Sequence, residues 1–346
     1  MIGLKEIGRG LLFAFAAMIA MLCAASSFAE ENKIATAEAD VAVKAKAFFP
    51  CDRSPGGRFM LGIAAKPGEE GRLMWVDTTG NLEPETFDAK AAWGKISPDG
   101  KRIAFLKTGQ KGLELWTVNV KGGEKKLIAG HDKIFGQAGP RGVKEGAAID
   151  WSASSMSVYV AWSVSSDPGR LKMFRVDMDG KVSSAVSVDS IPMCGEGPIR
   201  SIEVNAETNQ ALFVADSSKG PCLAAVILRG GKMSDVSVAI PGATRIEAFF
   251  DVRGEFIYVL TDGALAPSKP GVDSAEKSGK IRTCLLKLSD WNITAIDGMD
   301  MDLPANVGAV LMKASPDERF IDQYYTAPDE GGTRVHIYRR VYNPPR

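Results

Sequence analysis

A tight turn followed at once by a short apolar strand recurs along this chain, and it limits the folds that the chain can adopt. The clearest copy is ISPDGKRIAFL, residues 96–106. Pro, Asp and Gly are the residues that such turns favour. Taking Ser97 as the anchor residue of this copy, the anchors of all copies are Ser54, Ser97, Ser152, Asn205, Asp251 and Ser315. They lie 43, 55, 53, 46 and 64 residues apart, a spacing that indicates a repeat architecture.

Each copy has the same order of elements. An apolar segment precedes the anchor, and the turn leads into a strand rich in Ile, Val, Phe and Tyr. A third strand such as GLELWTVNVKGG, residues 112–123, ends in a second tight turn and a short fourth strand. A four-stranded sheet buries both faces only between two neighbours in a closed ring. We predict an all-β fold, a six-bladed β-propeller of four-stranded antiparallel blades over residues 44–346. A two-sheet sandwich is the alternative, but it does not account for six copies of one unit.

The sixth copy lacks a fourth strand. Its third strand, RVHIYRRV, is followed by YNPPR, whose two prolines cannot donate hydrogen bonds to a ladder. The N-terminal segment, residues 30–43, has spare length. We predict that part of Lys33–Val43 supplies the outer strand of the last blade and so closes the ring. A flexible or helical tail is the alternative.

Residues 1–29 have the organisation of a secretory signal peptide. Two basic residues precede the apolar run Leu11–Ala25, and Ser27 and Ala29 form a small-x-small cleavage site. The run is shorter than the roughly 20 residues that span a bilayer. We predict cleavage after Ala29, a periplasmic or secreted chain and no stable membrane insertion afterwards. Lipid attachment at Cys23 is the alternative, but Leu22 stands where that processing needs a small residue.

Charge and cysteine content restrict the partners and cofactors. Removal of residues 1–29 changes the formal charge from 0 to −1, and no long run of like charge follows. Nucleic acid and anionic membranes are therefore not expected partners. The remaining cysteines have no Cys-x-x-Cys spacing, which disfavours a zinc site. Cys194 and Cys222 fall in loops of the fourth blade on one face, and we predict a disulfide between them. Cys51 and Cys284 are expected to be buried thiols.

The stretch SPDGKRIAF…GLELWTVNVKGGEKKLI resembles the WD-type repeats of TolB family propellers. SPGGRF at Ser54 and SPDERF at Ser315 carry the same turn, whereas the copies at Ser152 and Asn205 lack Pro-Asp-Gly. The resemblance covers Lys44–Val341 and implies the fold more than the function, because the repeated residues are turn and packing residues. TolB-type proteins carry an α/β domain before the propeller, which is not expected here. Similar repeats form the lids of prolyl-oligopeptidase-type hydrolases, but the chain has no Gly-x-Ser-x-Gly motif.

The two faces of the predicted disc differ in their loops. The turns after the first and third strands are nearly constant in length, whereas three connections on the other face are long: 129–147, 262–280 and 297–306. Variable loops on a rigid scaffold are where binding sites commonly lie, and the central funnel is the expected pocket. The candidate binding residues at this rim and funnel are His131, Asp132, Arg141, Asp150, Glu196, Glu247 and Asp262.

Each chemical motif has a structural alternative. His131 and Asp132 suit an acid–base pair or half a metal site, but a solvated turn explains them as well. Asp297, Asp300 and Asp302 suggest a calcium site, but they lack the complete loop and its acidic closing residue. We predict no metal and no cofactor. Tryptophans within strands are expected to pack between blades rather than form a stacking surface for ligands: Trp75, Trp93, Trp116, Trp151 and Trp162.

These features favour a non-catalytic propeller of the cell envelope that binds a protein or peptide through its loop-rich face. One alternative is a glycan or small-ligand binder that uses the funnel. Another is a hydrolase or lyase with funnel carboxylates such as Asp150 or Glu247. Catalysis would gain support if ionisable side chains from different inner strands met within about 3–6 Å at the funnel.

Overall fold

Six small antiparallel sheets arranged in a ring form a six-bladed β-propeller, which confirms the predicted fold class. The structure is a computed structural model. It describes residues 36–43, 45, 47–65, 71–79, 85–88, 91–136, 139–140, 146–163, 170–185, 191–192, 197–205, 208–218, 220–228, 232–233, 238–240, 243–244, 246–251, 253–263, 280–290, 292–296, 299–303, 307–315 and 320–341.

The first three blades follow one another along the chain, each from its inner strand outward. The first contains β2 (Ala47–Arg53), β3 (Phe59–Ala65), β4 (Arg72–Asp77) and β5 (Glu85–Asp88). The second contains β6 (Ala91–Ile96), β7 (Arg102–Thr108), β8 (Leu113–Asn119) and β9 (Lys126–Ala129), and a short helix α1 (His131–Ile134) follows it. The third contains β10 (Ala147–Trp151), β11 (Ser157–Ser163), β12 (Arg170–Asp177) and β13 (Val182–Ser184), with β14 (Ile191–Pro192) also paired to β12.

The next two blades have the same arrangement, including a short additional strand. The fourth contains β15 (Ile199–Asn205), β16 (Gln210–Ala215), β17 (Cys222–Ile227) and β18 (Lys232–Met233), with β19 (Val238–Ala239) also paired to β17. The fifth contains β20 (Ile246–Phe250), β21 (Phe256–Thr261), β22 (Lys280–Lys287) and β23 (Ile293–Ala295), with β24 (Met301–Asp302) also paired to β22.

The sixth blade combines both ends of the described chain. Its strands are β25 (Val310–Ala314), β26 (Phe320–Asp329), β27 (Gly332–Val341) and, outermost, β1 (Thr36–Val43). β1 therefore lies where the sequence analysis expects a strand from the N-terminal segment. Val41 and Val43 are buried in a cluster with Phe48 of the first blade and Leu311 of the sixth. Apolar contacts thus join the first and last blades.

The anchor residues close the turns after the inner strands. Ser54, Ser97, Ser152 and Ser315 each accept, through the side-chain oxygen, a hydrogen bond from the backbone N–H five residues later, at 2.9–3.1 Å. A carboxylate oxygen of Asp251 does the same at 2.8 Å. The residue three positions after the anchor has positive φ where the turn is tight: Gly57, Gly100, Ser155 and Gly254. Glycine at three of these positions avoids the strain that a side chain causes there.

The core consists of apolar clusters between successive blades. Trp151 and Trp162 are buried between the second and third blades, and the Trp162 ring stacks on Phe174 at 5.1 Å between centroids. Trp75 is buried between the first and second blades, where Trp116 packs half-buried. Trp93 packs half-buried against the cluster of the second and third blades, so all five tryptophans pack between blades as expected.

The cysteines agree with the sequence analysis as far as the structure describes them. Cys51 and Cys284 are free and buried. Cys222 is in a disulfide, but its expected partner Cys194 lies outside the described residues, so that pairing stays a prediction. None of the helices in the described part of the chain has the length and apolar character needed to cross a membrane.

Candidate functional site

The six inner strands bring a ring of ionisable side chains to the central channel. In five of the six blades, the inner strand has an acid or a lysine two residues before the anchor. The inner strand of the remaining blade, the fifth, has Glu247 four residues before its anchor. We call this set the channel ring: Asp52, Lys95, Asp150, Glu203, Glu247 and Lys313. Four carboxylates and two ammonium groups leave an excess of two negative charges when all of them are ionised.

Lys313 contacts two carboxylates of the channel ring. Its Nζ lies 3.4 Å from Asp52 Oδ1 and 3.7 Å from Glu203 Oε2. The sixth and first blades are neighbours in the ring, whereas the fourth is not, so the contact of Lys313 with Glu203 crosses the channel. Ionisable groups from different inner strands therefore converge within the distance that the sequence analysis set as a condition for catalysis.

The two aspartates have a structural task as well. Asp52 Oδ2 accepts a hydrogen bond from Ile96 N at 2.7 Å, and Asp150 Oδ2 accepts one from Val204 N at 2.8 Å. Both donors lie one residue before the anchor of the next blade. Each aspartate thus satisfies a backbone N–H on the channel edge of the neighbouring inner strand, which would otherwise lack a protein partner.

Burial changes the protonation of the channel ring. It raises the pKa of Asp150 and of Glu203 above the usual carboxyl range, although Lys95 and Lys313 partly oppose the rise. Burial likewise raises the pKa of Glu247 to about 7. For Lys313, burial favours the neutral amine, but Asp52, Glu203 and Asp150 together outweigh it and raise the pKa. Near neutral pH Lys313 is charged, and Glu247 is partly protonated.

A cavity of about 430 Å³ lies above the channel ring. Asp52, Asp150, Glu203 and Lys313 line it together with the anchor turns, among them Ser54–Pro55 and Ser97–Pro98. The cavity therefore opens on the face of the short, constant turns, here called the anchor-turn face. The long connections that led us to expect binding lie on the opposite face, and much of them is outside the described residues.

The expected pair His131 and Asp132 is separated by the fold. The His131 ring is buried in α1 and stacks on Phe135 at 5.4 Å between centroids. Asp132 is exposed and lies 2.7 Å from Lys111 Nζ. The two side chains point to different environments, and this geometry does not make an acid–base pair.

The other predicted residues are dispersed. Asp262 accepts hydrogen bonds from Thr244 N at 2.8 Å and from Thr244 Oγ1. Asp302 is exposed and lies 3.8 Å from Lys280 Nζ, and Asp300 is also exposed. In the described ranges no group of three His, Cys, Asp or Glu side chains is arranged to hold a metal ion. The remaining predicted residues are outside those ranges: Arg141, Glu196 and Asp297.

The sequence analysis named Asp150 and Glu247 but missed the other members of the channel ring. A signal for them is visible once the copies are aligned at the anchor. The four residues that end at the anchor read CDRS, GKIS, IDWS, IEVN and MKAS in five copies, each with an ionisable second residue. Because a propeller places equivalent positions of its inner strands around one axis, this column predicts a charged channel.

Several solved structures are similar to this chain. Hydrazine synthase from Kuenenia stuttgartiensis has a TM-score of 0.50 at 13% identity, covering 83% of this chain and 78% of that chain. The TolB structure from Agrobacterium tumefaciens has a TM-score of 0.49 at 15% identity, covering 91% of this chain and 100% of that chain. Oligogalacturonate lyase from Vibrio parahaemolyticus has a TM-score of 0.45 at 10% identity, covering 88% of this chain and 91% of that chain. At such identities the likeness concerns the fold alone. No family model and no curated protein matches the sequence.

Proposed function

We propose that this chain is exported to the cell envelope and there binds a protein or peptide that inserts a positively charged side chain into the central cavity. The observation that supports this most is the composition of the channel ring, in which carboxylates outnumber lysines. A cavity of about 430 Å³ has room for one or two side chains but not for a folded domain. The signal-peptide pattern of residues 1–29 supports export.

Binding suits the channel ring better than catalysis does. Asp52 and Asp150 already accept backbone hydrogen bonds, and Lys313 is held as a cation between carboxylates. Glu203 has only its ion pair with Lys313 in the described part of the chain, so its second oxygen is available to an incoming cation. The loop-rich face remains a second possible docking surface.

One observation favours an acid–base enzyme as a second candidate. The pKa of Glu247 is about 7, which suits proton transfer near neutral pH. Glu247 does not line the described cavity, which weighs against this candidate. Loss of a detected hydrolase or lyase activity in Glu247→Gln, with unchanged substrate binding, would favour it.

A displayed library of random 12-residue peptides tests the proposed function. The chain from residue 30 is the target, and an enriched peptide is synthesised for calorimetry. We expect the enriched peptides to share a Lys or Arg, and Glu203→Gln to weaken their binding by about tenfold, because it removes a partly buried opposite charge. Asp132→Asn, an exposed carboxylate on the loop-rich face, is the control and should leave binding unchanged.

The same experiment can contradict the proposal. Enriched peptides without a basic residue, or equal affinity for the parent chain and Glu203→Gln, would show that the channel ring is not the binding site. Loss of binding in Asp132→Asn alone would move the site to the loop-rich face.

A further inference from the structure

A second cavity, of about 660 Å³, lies between the first and second blades. Phe59, Trp75 and Val120 supply its apolar surface. The Phe59 and Trp75 rings meet edge to face, with centroids 4.9 Å apart. Trp75 is buried, whereas Phe59 is half-buried and presents part of its ring to the cavity. We call this cavity the aromatic pocket.

Three basic side chains surround the aromatic pocket: Arg58, Lys101 and Lys121. All three are exposed, and the described residues that line the pocket include no acid. Lys101 interacts electrostatically with Asp99, but neither Lys101 nor Lys121 has an ion pair within the described ranges. The pocket therefore combines an apolar wall with a positive rim.

Arg58 is only weakly held by its acidic neighbour. Its Nη2 lies 3.4 Å from Asp77 Oδ2, and its side chain remains 54% exposed. Asp77 is buried and already accepts hydrogen bonds from Thr79 N at 2.9 Å and Thr79 Oγ1 at 2.7 Å. The Arg58 guanidinium lies over the Phe59 ring at 5.1 Å. Its remaining donors are positioned beside the aromatic wall, where an anion would meet them.

The aromatic pocket adjoins the central cavity on the anchor-turn face. A Cβ atom on Gly100, which lines the aromatic pocket, would lie 3.7 Å from Pro55 Cδ. Pro55 in turn lines the central cavity. The anchor turns of the first two blades thus contribute residues to both cavities.

We propose that the aromatic pocket binds the C-terminal residue of a peptide when that residue is aromatic. Its ring packs against Phe59 and Trp75, and its terminal carboxylate is bound among Arg58, Lys101 and Lys121. An aromatic ring and a carboxylate on one residue match the apolar wall and the positive rim of a single compact cavity. The inference rests on the proposed function for its class of partner and adds a second subsite.

Two matched peptides test the inference. Acetyl-Ala-Ala-Phe with a free carboxylate and the same peptide as its C-terminal amide differ only in the terminal charge. We expect calorimetry or an NMR titration to show about tenfold tighter binding of the acid, the ratio that corresponds to about 1.4 kcal/mol. Equal binding of acid and amide to the parent chain would overturn the inference.

Charge-removing variants locate the site. The double variant Lys101→Gln and Lys121→Gln should bind the acid peptide no more tightly than the amide peptide, and its affinity for the amide should equal that of the parent chain. We expect the same of Arg58→Gln. Unchanged binding of the amide peptide would show that the pocket is still folded. Lys133→Gln, an exposed lysine on the loop-rich face, is the control and should keep the full preference. A preference that survives in both pocket variants would overturn the inference.

The result is separable from that of the proposed function. Glu203→Gln should weaken the binding of basic peptides and leave the preference for the acid peptide intact. Basic peptides that bind without any preference for the acid contradict this inference alone. A preference for the acid without binding of basic peptides contradicts the proposed function and leaves the aromatic pocket as a binding site.

Discussion

Glu247 is the residue at which burial has the clearest consequence for pH dependence. Its pKa is about 7 in the fold, against 4.5 for an ordinary glutamate. Between these values the folded chain holds a proton that the unfolded chain releases, so stability falls as pH rises from about 4.5 to about 7. We expect Glu247→Gln to reduce this fall by roughly 1–3 kcal/mol in urea unfolding at pH 5 and pH 8.

The control for this prediction is Glu255→Gln, which changes an exposed glutamate in the anchor turn that follows the strand of Glu247. It should keep the parent pH dependence. Burial also raises the pKa of Asp150 and Glu203, so part of the fall should remain in Glu247→Gln. An unchanged difference between pH 5 and pH 8 would contradict the raised pKa of Glu247.

Lys313 is the residue whose loss should disturb the channel most. Lys313→Met leaves Asp52 and Glu203 without their cation, and breaking a buried pair costs about 3 kcal/mol or more. We expect a loss of roughly 2–3 kcal/mol at pH 8, since the Lys313 side chain is 20% exposed. The loss should be smaller at pH 5, where the carboxylates take up protons more readily.

Lys111→Met is the matched control for Lys313→Met. Lys111 and Asp132 form an ion pair at 2.7 Å, but both side chains are exposed. Exposed pairs contribute little because solvent screens them. Unfolding of Lys111→Met should match that of the parent chain at both pH values. A similar loss in the two variants would show that the channel does not shield the charges of its ring.

The anchor turn is the element on which the repeat depends, and Gly100 shows why. Its φ is +68°, and a Cβ there would meet only Pro55 at 3.7 Å. The cost of Gly100→Ala is therefore conformational, about 1–2 kcal/mol. Gly56→Ala is the control, because Gly56 has an ordinary φ and open space around its Cβ position. Thermal unfolding should separate the two variants, and equal midpoints would contradict this account of the turn.

The regular elements were predictable because local chemistry determines them. The anchor turns at Ser54, Ser97 and Ser315 carry Pro directly after the anchor, and the inner strands end at or next to the predicted anchors. The additional strands β14, β19 and β24 were missed, since two-residue strands have no periodicity. The binding face was predicted from loop length, whereas the described cavity depends on side chains from several blades, among them Asp52, Asp150, Glu203 and Lys313. No single copy of the repeat reveals that convergence.

At the scale of the whole molecule, ring closure joins residues that are far apart in the chain. Asp322 is fully buried between the guanidinium groups of Arg53 in the first blade and Arg339 in the sixth. Tyr324 donates a hydrogen bond to the same carboxylate at 3.0 Å. Charged hydrogen bonds thus join the two blades, while β1 completes the outer edge of the sixth.

β1 should therefore contribute to the stability of the entire ring. A chain that begins at residue 44 lacks Val41 and Val43, each buried in the cluster between the first and last blades. It also lacks Asp40, whose Oδ1 lies 2.7 Å from His336 Nδ1. Burial of two valines contributes roughly 3–6 kcal/mol. We expect the melting midpoint to fall by at least about 5 °C relative to the chain from residue 30.

A synthetic peptide of residues 34–45 makes this prediction specific to β1. Added in excess, it should restore the midpoint of the shortened chain, because a ligand that binds only the folded state stabilises it in proportion to its concentration. The same peptide with Val41→Asp and Val43→Asp should not, since neither side chain can then enter the apolar cluster. Equal midpoints for the chains from residues 30 and 44 would mean that the ring closes without β1. In that case the remaining contacts between the first and last blades, among them the ion pairs of Asp322 and the packing of Phe48 and Leu311, would be sufficient to hold them together.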